Sequence, residues 1–548
     1  MRTATARESP MAGDAGIAAV DVVDRRPVSP SLLWRLMARH DRVLVPVWLA
    51  VLILTCYASA AATPALYRSD VSRTAAAAAI NASPGIVALY GPILDVTSTG
   101  ELAMTKMTVL YAVLVSVMVL FVVRRHTRGD EEAGRSELLG AAAMTATTPL
   151  RSVLAYGTGI SALLGVAVAL ANTAGGLPFV GSVAFGAAWA GTALVAVGVT
   201  ALACQMSTSP RTCAAIASVA FGGLFVLRAI GDATSISWLS WLSPYGWNTQ
   251  LRAYGDMRWV VLLLYVLVSV VLMVAADRVR RSRDLGSGII EARPGRPVGS
   301  PRLSNVTALG LRVHRPLLIG WSAVIFAQGM IFGAIIPGFD AFDTGDMKDL
   351  LARVGGTGTF RDAMVASVIS MVGLIVTCFA IAVVTHAGTD EREGRTDQVL
   401  AVATSRWRSF VTVVLIAVGG STWLLLVSGV ALAIGLRSGD DQPFTRIVAS
   451  SLAQAPAVWV VTALGVACFA LRSRWAVLGW AFVVVAATLG QVGALLDLPQ
   501  LVIDLSPYTH APKMPHERFE LLPAAVLAAT AVALLGIAWV RYRTRDIG

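Results

Sequence analysis

Charge is what this chain has least of. Only 14% of its 548 residues are Asp, Glu, Lys or Arg, while 56% are hydrophobic; a soluble globular domain carries roughly 25% charged residues. The shortage excludes a soluble fold and leaves an integral membrane protein. Cysteine is also sparse: Cys56, Cys204, Cys213, Cys378 and Cys468 lie in or beside apolar runs, with no Cys-x-x-Cys pair and no neighbouring His. That argues against a disulfide framework or a metal site and for small packing residues. There is no Gly-x-x-x-x-Gly-Lys-Ser/Thr sequence, since Gly355-Gly356-Thr357-Gly358-Thr359 lacks the lysine. The chain therefore does not bind ATP through a P-loop of its own. A His-Glu-x-x-His pattern, a Gly-x-Ser-x-Gly elbow and a carboxylate pair inside an apolar run are missing too. Nothing here is an enzyme's site, and no cofactor is expected on the chain.

What is present is a series of apolar runs long enough to cross a ~30 Å hydrocarbon core. They fall at 43–62, 104–123, 152–171, 179–203, 212–231, 258–276, 317–336, 363–384, 409–435, 445–470, 475–493 and 521–540. The fold class is all-α integral membrane, with twelve transmembrane helices arranged as two parallel six-helix repeats. If the N-terminus is cytoplasmic, the inner segments hold 31 of the 44 Lys and Arg, as the positive-inside rule requires. Both termini then lie in the cytoplasm and the protein sits in the cell membrane. The net charge of +11 reads as topology and attraction to anionic lipid, with no nucleic acid as partner. Residues 1–30 carry Pro10, Pro27 and Pro30 without an apolar signal-type core, which reads as a disordered cytoplasmic tail.

The repeat is visible in three landmarks. Gly129-Asp130-Glu131-Glu132-Ala133-Gly134-Arg135-Ser136-Glu137 returns as Thr389-Asp390-Glu391-Arg392-Glu393-Gly394-Arg395-Thr396-Asp397; Ser243-Pro244-Tyr245 returns as Ser506-Pro507-Tyr508; Arg281-Ser282-Arg283-Asp284 returns as Arg543-Thr544-Arg545-Asp546. Their common offset makes the chain a tandem duplication. Because each half has six spans, both enter from one side and the repeats are parallel. The boundaries follow: a first six-span unit at 31–283, a basic Pro/Gly-rich linker at 284–310 and a second unit at 311–548. A basic stretch with Leu32, Leu33, Trp34, Leu36 and Met37 before the first span suits a helix in the inner interface; Leu309, Leu311 and Val313 form its weaker counterpart. Pro64 and Pro337 read as the ends of the first span in each half.

The repeated loop is the strongest functional signal. An acidic cluster, Gly-Arg and then a hydroxyl and an acid read as a helix start, with Ser136 or Thr396 as cap and the acid in the first turn. In the second copy Val399, Leu400, Ala403, Trp407 and Phe410 share an apolar face. Such a knob below the membrane suits an external partner; a solvated connection is the plainer alternative.

This motif, followed by an Arg at the start of the third span, resembles the inner loop of type-2 ABC exporter permeases. The order of spans and the Ser-Pro-Tyr segment before the sixth resemble that family too. The fused double unit is similar to actinobacterial polyketide-antibiotic and multidrug efflux permeases, mycobacterial ones among them, over nearly the whole chain from about residue 31. The resemblance implies a permease subunit that moves apolar or amphipathic drugs outward, powered by two copies of a separate ATPase subunit carrying ATP and Mg. It implies coupling positions at Asp130, Glu131, Glu132, Gly134, Arg135 and Glu137, and at Asp390, Glu391, Arg392, Glu393, Gly394, Arg395 and Asp397. It further implies an outer re-entrant segment at Ser243, Pro244 and Tyr245 and at Ser506, Pro507 and Tyr508. Glu132-Ala133 stands where the second copy has Arg392-Glu393, so the two docks can differ in strength.

Polar residues at repeat-equivalent places in the spans are candidate pathway lining: Thr55 with Gln328, and Arg228 with Gln491. The plainer reading pairs Arg228 with Asp232 one turn on and gives Gln328 a helix–helix hydrogen bond. Trp238, Trp241, Tyr245 and Trp247 read first as an interfacial belt. The runner-up function is a secondary, proton-coupled multidrug carrier with two six-span repeats, and a third is a membrane scaffold that recruits a partner. Such carriers usually need an intramembrane carboxylate, and Asp232 and Asp277 lie only at span ends.

Overall fold

The computed structural model describes residues 30–82, 84–135, 145, 147–234, 236–283, 288–290, 300, 303, 305–337, 360–402, 404–436, 444–489, 499–512, 514–515 and 520–546. Among these residues the chain is helical, with a single isolated bridge between Ser207 and Ile290. In a hydrocarbon environment every backbone N–H and C=O must be satisfied within the segment, and the helix achieves this. Two compact units form, one from Met1–Asn81 with Tyr90–Arg293, the other from Ala82–Leu89 with Pro294–Gly548.

In chain order the helices are α1 (Pro30–His40), α2 (Leu44–Leu66), α3 (Asp70–Ala82), α4 (Pro84–Tyr90), α5 (Thr99–Glu132), α6 (Thr148–Ala174), α7 (Phe179–Met206), α8 (Pro210–Ala233), α9 (Pro244–Gln250) and α10 (Val261–Arg281). They continue as α11 (Val306–Ile335), α12 (Phe360–Arg392), α13 (Arg395–Leu400), α14 (Arg406–Gly435), α15 (Phe444–Leu471), α16 (Ser473–Ala487) and α17 (Leu521–Thr544). Eleven described helices are long and apolar enough to span: α2, α5, α6, α7, α8, α10, α11, α12, α14, α15 and α17. The expected run at 475–493 begins on α16, a shorter apolar helix, and its end lies outside the described residues.

Several boundaries differ from the sequence reading. Pro64 sits inside α2, which runs on to Leu66; a proline in the last turn removes one N–H and stops the helix only afterwards. The basic stretch before span 1 is a separate helix, α1, with Leu33 and Met37 buried and Leu32, Trp34 and Leu36 exposed. Its counterpart, Leu309–Val313, is instead the first part of α11, which passes through Pro316 and is capped by Asn305 Oδ1 accepting from Ala308 N at 2.8 Å.

Each unit is built round its fourth span. Helices α7 and α15 are the most buried spans of their units, whereas α8, α10, α11 and α17 leave most of their apolar surface exposed. Lipid tails offer as apolar a neighbour as another helix, so close packing of small residues holds spans together. At Gly165 and Gly186 helices α6 and α7 approach so closely that a methyl on Gly165 would come within 2.7 Å of the Gly186 carbonyl.

Candidate functional site

The acidic clusters of the repeated loop do not start helices; they end them. Asp130–Glu132 closes α5, and Asp390 to Arg392 closes α12. Gly134 and Gly394 then turn the chain with φ of 69° and 70°. In both copies the glycine N–H donates back to the second acid's carbonyl, Gly134 to Glu131 and Gly394 to Glu391, at 3.1 Å each. A Cβ on either glycine would meet nothing within 4 Å, so the left-handed backbone, not space, selects glycine. The expected hydroxyl cap is corrected accordingly: Gly394 is the N-cap of α13 without a side-chain bond, and Thr396 lies inside the first turn with Asp397. Ser136 and Glu137 lie outside the described residues.

Carboxylates at a helix C-terminus face the negative end of the helix dipole, and each loop offsets this with cations. Arg135 Nη1 lies 3.0 Å from Asp130, and Arg395 Nη2 lies 2.7 Å from Asp390 while also pairing with Glu393. A histidine one turn earlier accompanies the first acid in each copy, His126 Nδ1 at 3.8 Å from Asp130 and His386 Nε2 at 3.7 Å from Asp390. Each of these rings meets a second histidine edge-on, His40 with His126 at 5.7 Å and His314 with His386 at 5.2 Å. The first unit adds buried Asp41, 2.7 Å from His126 Nε2 and 3.2 Å from Arg125. The second has Arg315 after His314 where the first has Asp41 after His40. Burial and the nearby Arg125 hold His40 below its usual range.

The second acid turns inward in both copies. Glu131 meets Arg128 at 2.5 Å and Arg283 at 3.0 Å; Glu391, almost fully buried, meets Arg545 at 2.5 Å. Sequence reasoning noted both ends of these pairs as repeat landmarks and did not join them. Burial pulls Arg283 down and Glu131 beside it pushes back up, while the Asp390 partner raises Arg395; guanidinium groups stay charged throughout. The outward acids are Glu132 and Glu393, both exposed together with Arg392, which donates to Gly388 O and Thr389 Oγ1. Trp407 and Phe410, expected on the loop's apolar face, belong to α14 and pack on Trp539 of α17, with ring centroids 4.6 and 5.6 Å away.

At 36% identity over 523 residues, covering 94% of this chain and 94% of the relative, the chain is similar to the multidrug efflux system permease protein Rv1217c of Mycobacterium tuberculosis. The chain belongs to this permease family. The family model of the C-terminal domain of multidrug efflux system permease Rv1217c matches residues 303–543, which include α11 to α17. Membership and eleven apolar helices make it a multi-pass membrane transport protein.

The remaining family-derived positions lie away from the loops. Ser243 and Tyr245 are buried at the head of α9, whose residues Pro244 to Thr249 are all buried. Tyr245 donates to Ser116 Oγ at 2.9 Å; in the second unit Tyr508 pairs with Thr377, and Ser506, next to Pro507, donates to Ala486 O at 2.9 Å. The aromatic group divides: Trp238 and Trp241 are exposed, Trp247 and Tyr245 internal. Arg228 is wholly buried, 3.1 Å from Asp232 and 5.0 Å over the Phe225 ring. Asp232 also accepts from Ser240 Oγ at 2.5 Å. Thr55 bonds its own helix at Val51 O, Gln328 is half-buried, and Gln491 lies outside the described residues.

Proposed function

We propose that this chain is the complete permease of an ATP-driven exporter, both halves in one polypeptide, moving apolar or amphipathic compounds out of the cell. The observation that carries the reading is the loop after the second span of each unit. Two copies with the same acid, left-handed glycine and arginine geometry are two docks of one kind, which suits two copies of one ATPase subunit that hold ATP and Mg. The relative's name, a multidrug efflux system permease, supports the substrate class. The loops and both termini then lie in the cytoplasm, in keeping with the inner excess of Lys and Arg. Carboxylates of the described spans sit at span ends, such as Glu101, Asp232, Asp277 and Asp362, which disfavours a proton-coupled carrier.

The test is reconstitution. The purified chain should hydrolyse no ATP; a P-loop ATPase encoded beside it should co-purify at two copies per permease. Efflux from cells should stop when the ATPase's P-loop lysine is replaced and persist in a protonophore. The reverse pattern establishes the secondary carrier.

A further inference from the structure

Compared with each other, the two loops separate what varies from what stays. Their exposed positions differ, Glu132-Ala133 in one and Arg392-Glu393 in the other, whereas the inward acid keeps its register as Glu131 and Glu391. Each inward acid reaches an arginine just past the last span of its own unit. Glu131 and Arg283 are 152 residues apart in sequence, Glu391 and Arg545 154 apart. Both arginines are held on further sides. Arg283 Nε donates to Gln205 Oε1 at 2.8 Å. The Arg545 guanidinium lies over Phe469 at 5.2 Å and Tyr542 at 5.1 Å, and Arg406 Nη1 donates to the carbonyls of Arg543 and Arg545 at 3.1 and 2.8 Å.

We infer that Arg283 and Arg545 are positioning residues that clamp each duplicated loop to the end of the sixth span of its unit, so that loop and span move as one body. The inference rests on the reading of the loops as docks for an ATPase. Without the clamp, a force on the loop would bend only the exposed turn at Gly134 or Gly394, which no side chain supports. With it, the same displacement is delivered to α10 or α17. A buried carboxylate–guanidinium pair suits this task, because losing either partner strands a charge away from water and the pair resists opening.

Two measurements on the full chain separate the clamp from the docking reading. In lipid nanodiscs without any ATPase, Arg545→Gln should raise amide hydrogen exchange in 388–396 at least tenfold over wild type, and Arg543→Gln, which removes an exposed charge two residues away, should not. In vesicles containing the ATPase partner, Arg545→Gln should still recover the partner yet export at least tenfold less drug per ATP hydrolysed. The swap Glu391→Arg with Arg545→Glu should recover a substantial part of both readouts, which an effect on folding alone would not allow. Unchanged exchange in Arg545→Gln, or increased exchange with unchanged drug per ATP, overturns the clamp. If no ATPase associates with wild type, the docking reading falls, and the transmission role falls with it, while the exchange result still decides whether the pair holds the loop.

Discussion

Tyr245 donates its hydroxyl to Ser116 Oγ at 2.9 Å, tying the buried segment before the sixth span to the middle of the second. The second unit repeats the tie with Tyr508 and Thr377. Tyr508 also lies 3.5 Å from Gly373 O. A hydroxyl of this kind contributes about 1 kcal/mol net, and more when its loss leaves a buried partner unsatisfied. Tyr245→Phe should therefore lower thermal stability by an amount that Ser116→Ala in the same chain partly removes. A double-mutant cycle read by thermal unfolding in nanodiscs checks it; additive losses would mean the two groups do not interact.

Arg228 and Asp232 set up a second prediction. Removing one partner of a buried ion pair costs about 3–5 kcal/mol, so Arg228→Gln should unfold at clearly lower temperature, and Asp232→Asn should restore part of the loss. Ser240, bound to Asp232 at 2.5 Å, carries the effect into the Trp238–Trp241 turn. If stability holds and the set of exported compounds changes, Arg228 lines the pathway instead.

The loops' outward charges are the ones to reverse in a test of docking. Glu132→Lys and Glu393→Lys place like charge against a basic or amide-rich cleft expected on the ATPase, and juxtaposed like charges at an interface cost several kcal/mol. Each should reduce ATPase recovery while insertion into the membrane stays normal. Reversal of Glu391 tests something else, since its carboxylate is only 4% exposed and faces Arg545. Unaltered recovery in both outward variants would make the loop a solvated connection.

Backbone conformation yields a fourth prediction. A left-handed φ costs an L-residue about 1–2 kcal/mol, and space around Gly134 and Gly394 is open. Gly394→Ala should loosen the turn and weaken export, whereas Gly394→Asn, which tolerates this conformation better, should retain more of it. Equal effects from the two would point to crowding rather than backbone. Efflux rates and hydrogen exchange across 388–396 report both.

Hydropathy alone located the spans, because hydrocarbon forces any backbone inside it into satisfied helices and tolerates few charges there. The duplication was equally legible: the loop, Ser-Pro-Tyr and Arg-x-Arg-Asp each recur in order. Only the tertiary structure decided which way Glu131 and Glu391 face and where the loop's helices begin and end. The acidic cluster reads as a helix start because its residues suit a first turn, yet α12 runs for 33 residues, beyond its apolar stretch and out to Arg392. Nothing in local composition marks that extension, since a helix end in water has no apolar periodicity to show. The partners of the buried acids were out of reach for a different reason. Arg283 and Arg545 lie more than 150 residues from them, and a charge pair made by packing the ends of distant spans leaves no spacing in the chain.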